Sequence, residues 1–411
     1  MRRKLITNHF STFTKGLVAM FMIAAFCVPL SSYGQDPDSI PNLEERVAAL
    51  FARSCTAAGC HSGPVPMMGL DLTSDKFYAT AVDEASTERP ELKIVDPGNS
   101  KVSYMIHKLK GQEGIVGMQM PFTGEKLTTE EIGVIEEWID SLDDVDTERK
   151  AKSMSEVAYP FYGWKVVNLP TTRLLNAGDM LFLISHRFNP KINDGYDAFF
   201  GLDGSGIIYI SLGYAITDRL MVAVGRSNSD DDVQLQARYG IAHQGGEGGW
   251  PVGVSAQTSF NWVSQDIPDR DRFGVERFKT TMQVSVTRQI GDKIGLAFVP
   301  GLLINPGHEV DGESQLVTLG LGGRYRFSRT LSVVADWAPI VSGFTRTLVF
   351  GNDIRFDTFG GGLEIATAGH VFQIILTNSV GITSDQYLRG GDLDITKAHL
   401  RLGFNIFRVL N

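Results

Sequence analysis

The sequence predicts a multidomain molecule: a small all-α domain followed by an all-β antiparallel up-and-down barrel of about twelve strands. Three observations predict it. Apolar residues recur at helical spacing up to residue 145 and alternate with a period of two in the second half of the chain. The 44 glycines exceed the usual share of roughly 7%, and most fall in the alternating region, where strands must bend and pack closely. Mean hydropathy is only -0.03, and no long apolar run lies beyond residue 30. That excludes a bundle of membrane-spanning helices but leaves a barrel open. A hydrophobic share of 43% excludes collagenous and disordered chains. A net charge of -9 and a pI near 5.4 argue against a nucleic-acid partner.

The chain opens with Arg2, Arg3 and Lys4, then an apolar run over residues 17–30. At ~14 residues this run falls short of the roughly 20 needed to span a bilayer and suits a signal-peptide core. Ser32 and Gly34 supply small residues, so residues 1–34 read as a signal peptide cleaved before Gln35; the alternative is an uncleaved anchor. Cys27 lies inside the apolar run behind Phe26, which does not fit a lipoprotein signal. It leaves with the signal, and an exported mature chain keeps two cysteines in an oxidising setting.

Residues 35–145 carry the chemistry. Asn42 and Glu45 have capping-box spacing, and Leu43, Val47, Leu50 and Phe51 form a helical stripe. The stripe runs into Cys55-Thr56-Ala57-Ala58-Gly59-Cys60-His61. The usual c-type haem attachment is Cys-x-x-Cys-His, two thiols for the two vinyl groups and a histidine for the iron. Here two additional residues separate the thiols, while the Cys60-His61 pair is intact. Asp96-Pro97-Gly98-Asn99-Ser100 is a turn and cap before a helix expected to bury Val102, Met105, Ile106 and Leu109. Gly117-Met118-Gln119-Met120-Pro121-Phe122 follows, with Pro121 biasing Met120 toward an extended loop. Thr128 and Glu131 make a second capping box, ahead of the stripe Ile132, Ile135, Trp138, Ile139 and Leu142. Met67 and Met68 are expected to be packing residues.

The segment resembles class I cytochrome c, in particular bacterial members with a divergent attachment motif and a Met-Pro loop before a final helix ending Trp138-Ile139. The resemblance covers about a quarter of the chain. It implies one covalently attached haem c, with Cys55 and Cys60 as thioether sites, His61 as proximal and Met120 as distal iron ligand. Met118 and His107 are the rival distal ligands. A disulfide between Cys55 and Cys60 is the alternative reading of the thiols; a zinc site lacks further nearby ligands. With both axial positions filled, the chemistry implied is electron transfer rather than catalysis. The last helix is acidic (Glu130, Glu131, Glu136, Glu137, Asp140, Asp143 and Asp144), which reads as a solvated face.

Residues 146–163 read as a charged linker and 164–411 as the barrel domain. Val233, Leu235, Ala237 and Tyr239 alternate with Gln234, Gln236 and Arg238; Leu400, Leu402, Phe404 and Ile406 alternate with Arg401, Gly403 and Asn405. Short turns fall at Thr217-Asp218, Gly291-Asp292, Ser328-Arg329 and Ala368-Gly369. Long loops fall near residues 266–273, 305–314, 339–353 and 383–394. A barrel in the outer membrane turns its apolar face to lipid, which places Arg238, Arg324, Arg326, Asp336 and Arg401 inside and Tyr239, Tyr325, Phe327 and Trp337 at the interfaces. A soluble barrel or sandwich is the alternative. Ser185-His186-Arg187-Phe188, Phe199-Phe200-Gly201-Leu202-Asp203 and Gly213-Tyr214-Ala215-Ile216-Thr217-Asp218 resemble an uncharacterised bacterial β-barrel family, which supports the fold alone. Ser185, His186 and Asp203 lack a nucleophile elbow, and Asp194, Asp197 and Asp203 lack a calcium-loop register.

The expected function is electron transfer by an exported monohaem protein, held at the outer membrane by the barrel with its haem domain in the periplasm. Its partners are then periplasmic or membrane redox proteins and outer-membrane lipid. The alternatives are a transport or binding barrel with the helical domain as redox sensor, and a soluble periplasmic protein.

Overall fold

The computed structural model describes residues 42–410 apart from 58–59, 64–65, 75, 143–144, 147–159, 246–248, 267, 269–270, 307–314, 329, 344–355 and 368. The expected signal peptide, most of the linker, Asp143 and Asp144 lie outside the described residues. So does one residue of each of the turns at Ser328 and Gly369.

Among the described residues, four helices make the N-terminal part. Helix α1 (Leu43–Ser54) carries Glu44 and Glu45 in its first turn and Arg53 in its last, complementing its dipole. Helix α2 (Phe77–Ala81) is short. Helix α3 (Tyr104–Lys110) stops at Gly111, whose φ of 64° provides the left-handed C-cap. Helix α4 (Thr129–Asp140) starts on the expected capping box, with the Thr128 hydroxyl accepting from the Glu131 N–H and the Glu131 carboxylate accepting from the Thr128 N–H. The apolar stripes of α1, α3 and α4 close on one core, where Phe77 stacks edge-on against Phe51 and Trp138 at 5.5 and 5.4 Å. One expectation is corrected. The helix expected after Ser100 breaks into a 3-10 turn, Ser100–Val102, and α3, because Ser103 is extended between them. Val102 is therefore exposed rather than buried.

The C-terminal part is a closed meander of twelve strands: β1 (Met180–Phe188), β2 (Gly206–Thr217), β3 (Leu220–Ser227), β4 (Asp232–Ala242), β5 (Gly253–Val263), β6 (Phe278–Ile290), β7 (Ile294–Ile304), β8 (Gln315–Arg326), β9 (Leu331–Ala338), β10 (Thr358–Ala366), β11 (His370–Thr377) and β12 (Arg401–Leu410). Ile340–Ser342 extends β9 against β8. Each strand pairs antiparallel with its sequence neighbours, and β12 returns to β1 in the register Ile184↔Ile406, leaving no edge. The start of β1 and the end of β12 lie with the short turns; the strand ends joined by the longer connections lie at the opposite rim.

The period of two has a clear orientation. On β2, Ile208, Ile210, Leu212, Tyr214 and Ile216 are exposed, while Ile207, Tyr209 and Ser211 are buried. Arg238, Arg324, Asp336 and Arg401 face inward and are buried; Tyr239, Tyr325, Phe327 and Trp337 are exposed outside. Arg326, expected inside, is half-buried near the rim, where its Nη1 donates to the Tyr162 hydroxyl at 3.2 Å. An exposed apolar belt around a polar interior is the inverse of a soluble barrel and suits lipid.

The interior is filled. Residues 160–175 are almost entirely buried, as are 378–391 from the loop between β11 and β12, which includes helix α5 (Ser384–Tyr387). Phe161, Tyr162 and Gly163, read from the sequence as the end of the linker, pack inside the barrel wall.

Candidate functional site

The site is a cavity of about 890 Å³ in the helical part, within the usual range for small-molecule and cofactor sites. Its walls are mainly apolar: Phe51, Leu70, Leu72, Ile94, Met105 and Leu109 contribute. Cys55, Cys60, His61, Met118 and Met120 all line it, so residues about 60 apart in the sequence meet in one chamber.

Local folding explains the placement. Helix α1 delivers Cys55 at its C-terminal end, where the Cys55 N–H donates to the Phe51 carbonyl at 2.8 Å. The chain then turns on itself. The Cys60 N–H donates to Ala57 O at 2.9 Å, and the His61 N–H returns to Cys55 O at 3.1 Å. The wide cysteine spacing is thus taken up in a closed loop that keeps His61 beside Cys55. The His61 ring is oriented by its Nδ1, 3.3 Å from the Leu70 carbonyl oxygen, a backbone anchor of the kind that steadies metal-binding imidazoles. Burial lowers the His61 pKa, and Leu70 and Met67 carbonyls oppose that effect. Burial also pushes the Cys55 thiol up to about 12, with Cys60 adding to the rise and Arg53 opposing it. Cys55 is buried and Cys60 half-exposed, and they are not joined in a disulfide. The disulfide reading is therefore corrected: Cys55 and Cys60 are held as separate thiols lining one cavity.

The opposite wall is the loop after α3. The Met120 N–H donates to Lys108 O at 2.9 Å, and Gln119 Nε2 to Leu109 O at 2.7 Å. The Lys126 ammonium donates to Gln119 O at 3.0 Å. Met120 is half-buried against the helical core, whereas Met118 is 59% exposed at the mouth. His107 does not line the cavity; its Nε2 lies 2.9 Å from Lys101 O on the outer side of α3. Met67 and Met68 are corrected as well. They are exposed at the rim, with Met68 at a φ of 56°, and are not core residues. Sequence reasoning missed a polar cluster on the cavity wall. The Tyr104 hydroxyl and Lys108 ammonium both donate to Glu88 Oε2, at 2.8 and 3.0 Å, and Lys108 also donates to Val116 O at 2.7 Å. Its signal was present: Tyr104 and Lys108 are spaced i, i+4 on the face of α3 that also carries Met105 and Leu109.

In the barrel, the side chains weighed from the sequence are not brought together. Ser185 is buried inside, while His186 faces outward, stacked on Phe404 at 5.3 Å, so strand alternation itself separates that pair. Asp194 is engaged by Lys191 at 3.4 Å, and among the described residues no cluster of three or more metal-binding side chains occurs.

A closed antiparallel barrel with an exposed apolar belt defines a membrane-bound β-barrel protein of the outer-membrane type. Residues 161–410 match the profile of the family described as a membrane bound beta barrel domain (DUF5777), and the chain belongs to that family. The helical region lies outside the match. Similar solved structures include the COG4313 outer membrane channel from Pseudomonas putida F1, at 16% identity and a TM-score of 0.38, covering 58% of this chain and 98% of that one. The KdgM porin is similar at 8% identity and a TM-score of 0.33, covering 56% and 98%. The NanC porin gives 9% and 0.32, covering 57% and 98%. No curated protein matches the chain.

Proposed function

We propose that residues 43–146 bind one c-type haem and that the protein is an electron carrier anchored in the outer membrane by its barrel. The convergence of Cys55, Cys60, His61 and Met120 on one apolar cavity carries this reading. The donor set fits the group: two thiols for thioether bonds, a half-buried imidazole and a thioether sulfur. When bound, the haem supplies a one-electron couple. The chain's own contribution is positioning and exclusion of water. The Leu70 carbonyl holds the His61 ring, and Lys108, Leu109 and Lys126 hold the Met120 loop. The apolar wall lowers the local dielectric, which together with a thioether ligand favours the reduced iron.

A pyridine haemochrome assay and a reduced-minus-oxidised spectrum of membranes from a cell able to mature c-type cytochromes test the reading. Covalent haem bound to the full chain is expected. Absence of c-type absorbance with the protein present would overturn it. A transport role for the barrel, the other reading of the sequence, agrees with the family but requires a path through the lumen.

A further inference from the structure

We propose that the barrel is sealed by a two-part plug, the N-terminal strap of residues 161–175 and the inward loop of residues 378–391, and serves as a membrane anchor without a solute path. This rests on the barrel alone and is independent of the haem reading. In a water-filled pore the polar wall would be wet. Here Thr281, Glu364, Gln373 and Asn405 are inward-facing yet have no exposed surface.

The strap enters beside β7 and β8, where the Tyr162 hydroxyl accepts from Arg326 Nη1 at 3.2 Å, and folds into a hairpin, closed by the Val166 N–H donating to Leu169 O at 2.8 Å. Its tip is seated on one wall carboxylate. Asp336 on β9 accepts from the N–H groups of Val167, Asn168 and Leu169 at 3.1, 2.6 and 2.8 Å, and from Asn168 Nδ2 at 3.1 Å. Successive backbone donors around an anion form a nest, a geometry the tip reaches only when folded onto the wall. Along the arms, Glu364 accepts from the Gly163 N–H at 3.1 Å, Gln373 Nε2 donates to Val166 O at 2.8 Å, and Ser285 Oγ donates to Pro170 O at 2.9 Å.

The wall is shaped to receive the strap. A Cβ at Gly240 would lie 2.4 Å from Leu174, at Gly320 2.7 Å from Leu169, and at Gly360 2.6 Å from Val167. Those distances are far inside van der Waals contact, so the absence of side chains there makes the groove the strap occupies. From the long-loop rim, Ser384 Oγ meets Ser259 Oγ at 2.8 Å and Thr281 Oγ1 at 2.9 Å, and the Tyr387 hydroxyl donates to Gln283 Oε1 at 2.9 Å. The two halves meet where Lys165 Nζ donates to Ile382 O at 3.0 Å. Beside Trp164, Lys165 and Tyr209 a void of about 20 Å³ remains, roughly the room of a single water.

Planar-bilayer recordings of the full chain test the proposal, alongside a variant with residues 164–172 replaced by an equally long Gly/Ser segment. The full chain is expected to give no steady conductance, and the replacement to give discrete conducting steps. Steps of the same size in both overturn the proposal, and a folded replacement that stays silent overturns the role of the strap. Should the replacement fail to fold, Ser285→Cys in the full chain decides. Under the strap it is expected to resist a water-soluble thiol reagent, read at its own peptide by mass spectrometry. Labelling as fast as in the urea-unfolded chain sinks the plug.

Discussion

Two residues of the cavity test the proposed haem reading. Met120 and Met118 are two positions apart, yet only Met120 packs against the helical core and is tied through its own N–H to Lys108. Met120→Ala is expected to abolish the weak far-red sulfur-to-iron absorption band of the oxidised full chain and to lower its reduction potential, while Met118→Ala leaves both unchanged. The reverse pattern would move the distal ligand to Met118. Cys55 yields a second test, in the chain before haem attachment. Its pKa rises from 9.0 to about 12 on folding, so the folded state retains a proton that the unfolded state releases. Stability is then fully present below pH 9 and falls as pH climbs from 9 toward 12, by about 1.4 kcal/mol per unit at most. Haem-free protein is expected to alkylate at half-exposed Cys60 before Cys55 at pH 8, scored by peptide mass. Equal rates would mean the cavity wall does not bury Cys55.

At the level of elements, local sequence rules worked where an element is stabilised by its own residues. The Thr128–Glu131 capping box and the Ile132, Ile135, Trp138 and Ile139 stripe specify α4 without reference to the rest of the chain, and α4 forms as read. The helix after Ser100 failed because Ser103 spends its hydroxyl on the Asp96 N–H and Asn99 O, contacts that hold the backbone extended. The strap failed for a different reason. Phe161 to Leu175 lacks a period of either kind, since a segment enclosed by a barrel meets wall on every side and needs neither alternation nor a stripe. Its trace in the sequence is indirect, in the glycines of the opposing strands. Gly360→Ala is accordingly expected to cost about 1–3 kcal/mol through overpacking against Val167, whereas Gly323→Ala, where the nearest atom stands 4.0 Å away, should be close to neutral. The midpoint of heat-induced mobility change on gels measures both. Equal midpoints for the two variants would show that the strap yields freely.

For the whole molecule, the strand count and alternation were legible because lipid on one side and a polar interior on the other impose a period of two on every strand. The direction of the apolar face was not contained in the alternation, since a soluble barrel alternates equally well. The exposed series of β2, with Ile208, Ile210, Leu212, Tyr214 and Ile216 all outward, settles it in the fold, and family membership agrees. Nor was lumen occupancy legible: Arg238 and Asp336 read as lining the interior, but an inward polar side chain serves equally well to bind a plug's backbone, as Asp336 does. The orientation predicts a contrast between faces. Leu212 lies midway along β2 and is 44% exposed, with no partner for a charge in lipid. Leu212→Arg is expected to destabilise the membrane-inserted barrel by about 2–4 kcal/mol, the cost of an arginine at the bilayer midplane. In water the same substitution on an exposed strand face would cost within about 0.5 kcal/mol. Urea titration of the barrel folded in lipid vesicles measures the difference. A loss under 0.5 kcal/mol would mean that this face of β2 does not meet lipid, and would count against the membrane-spanning orientation of the whole barrel.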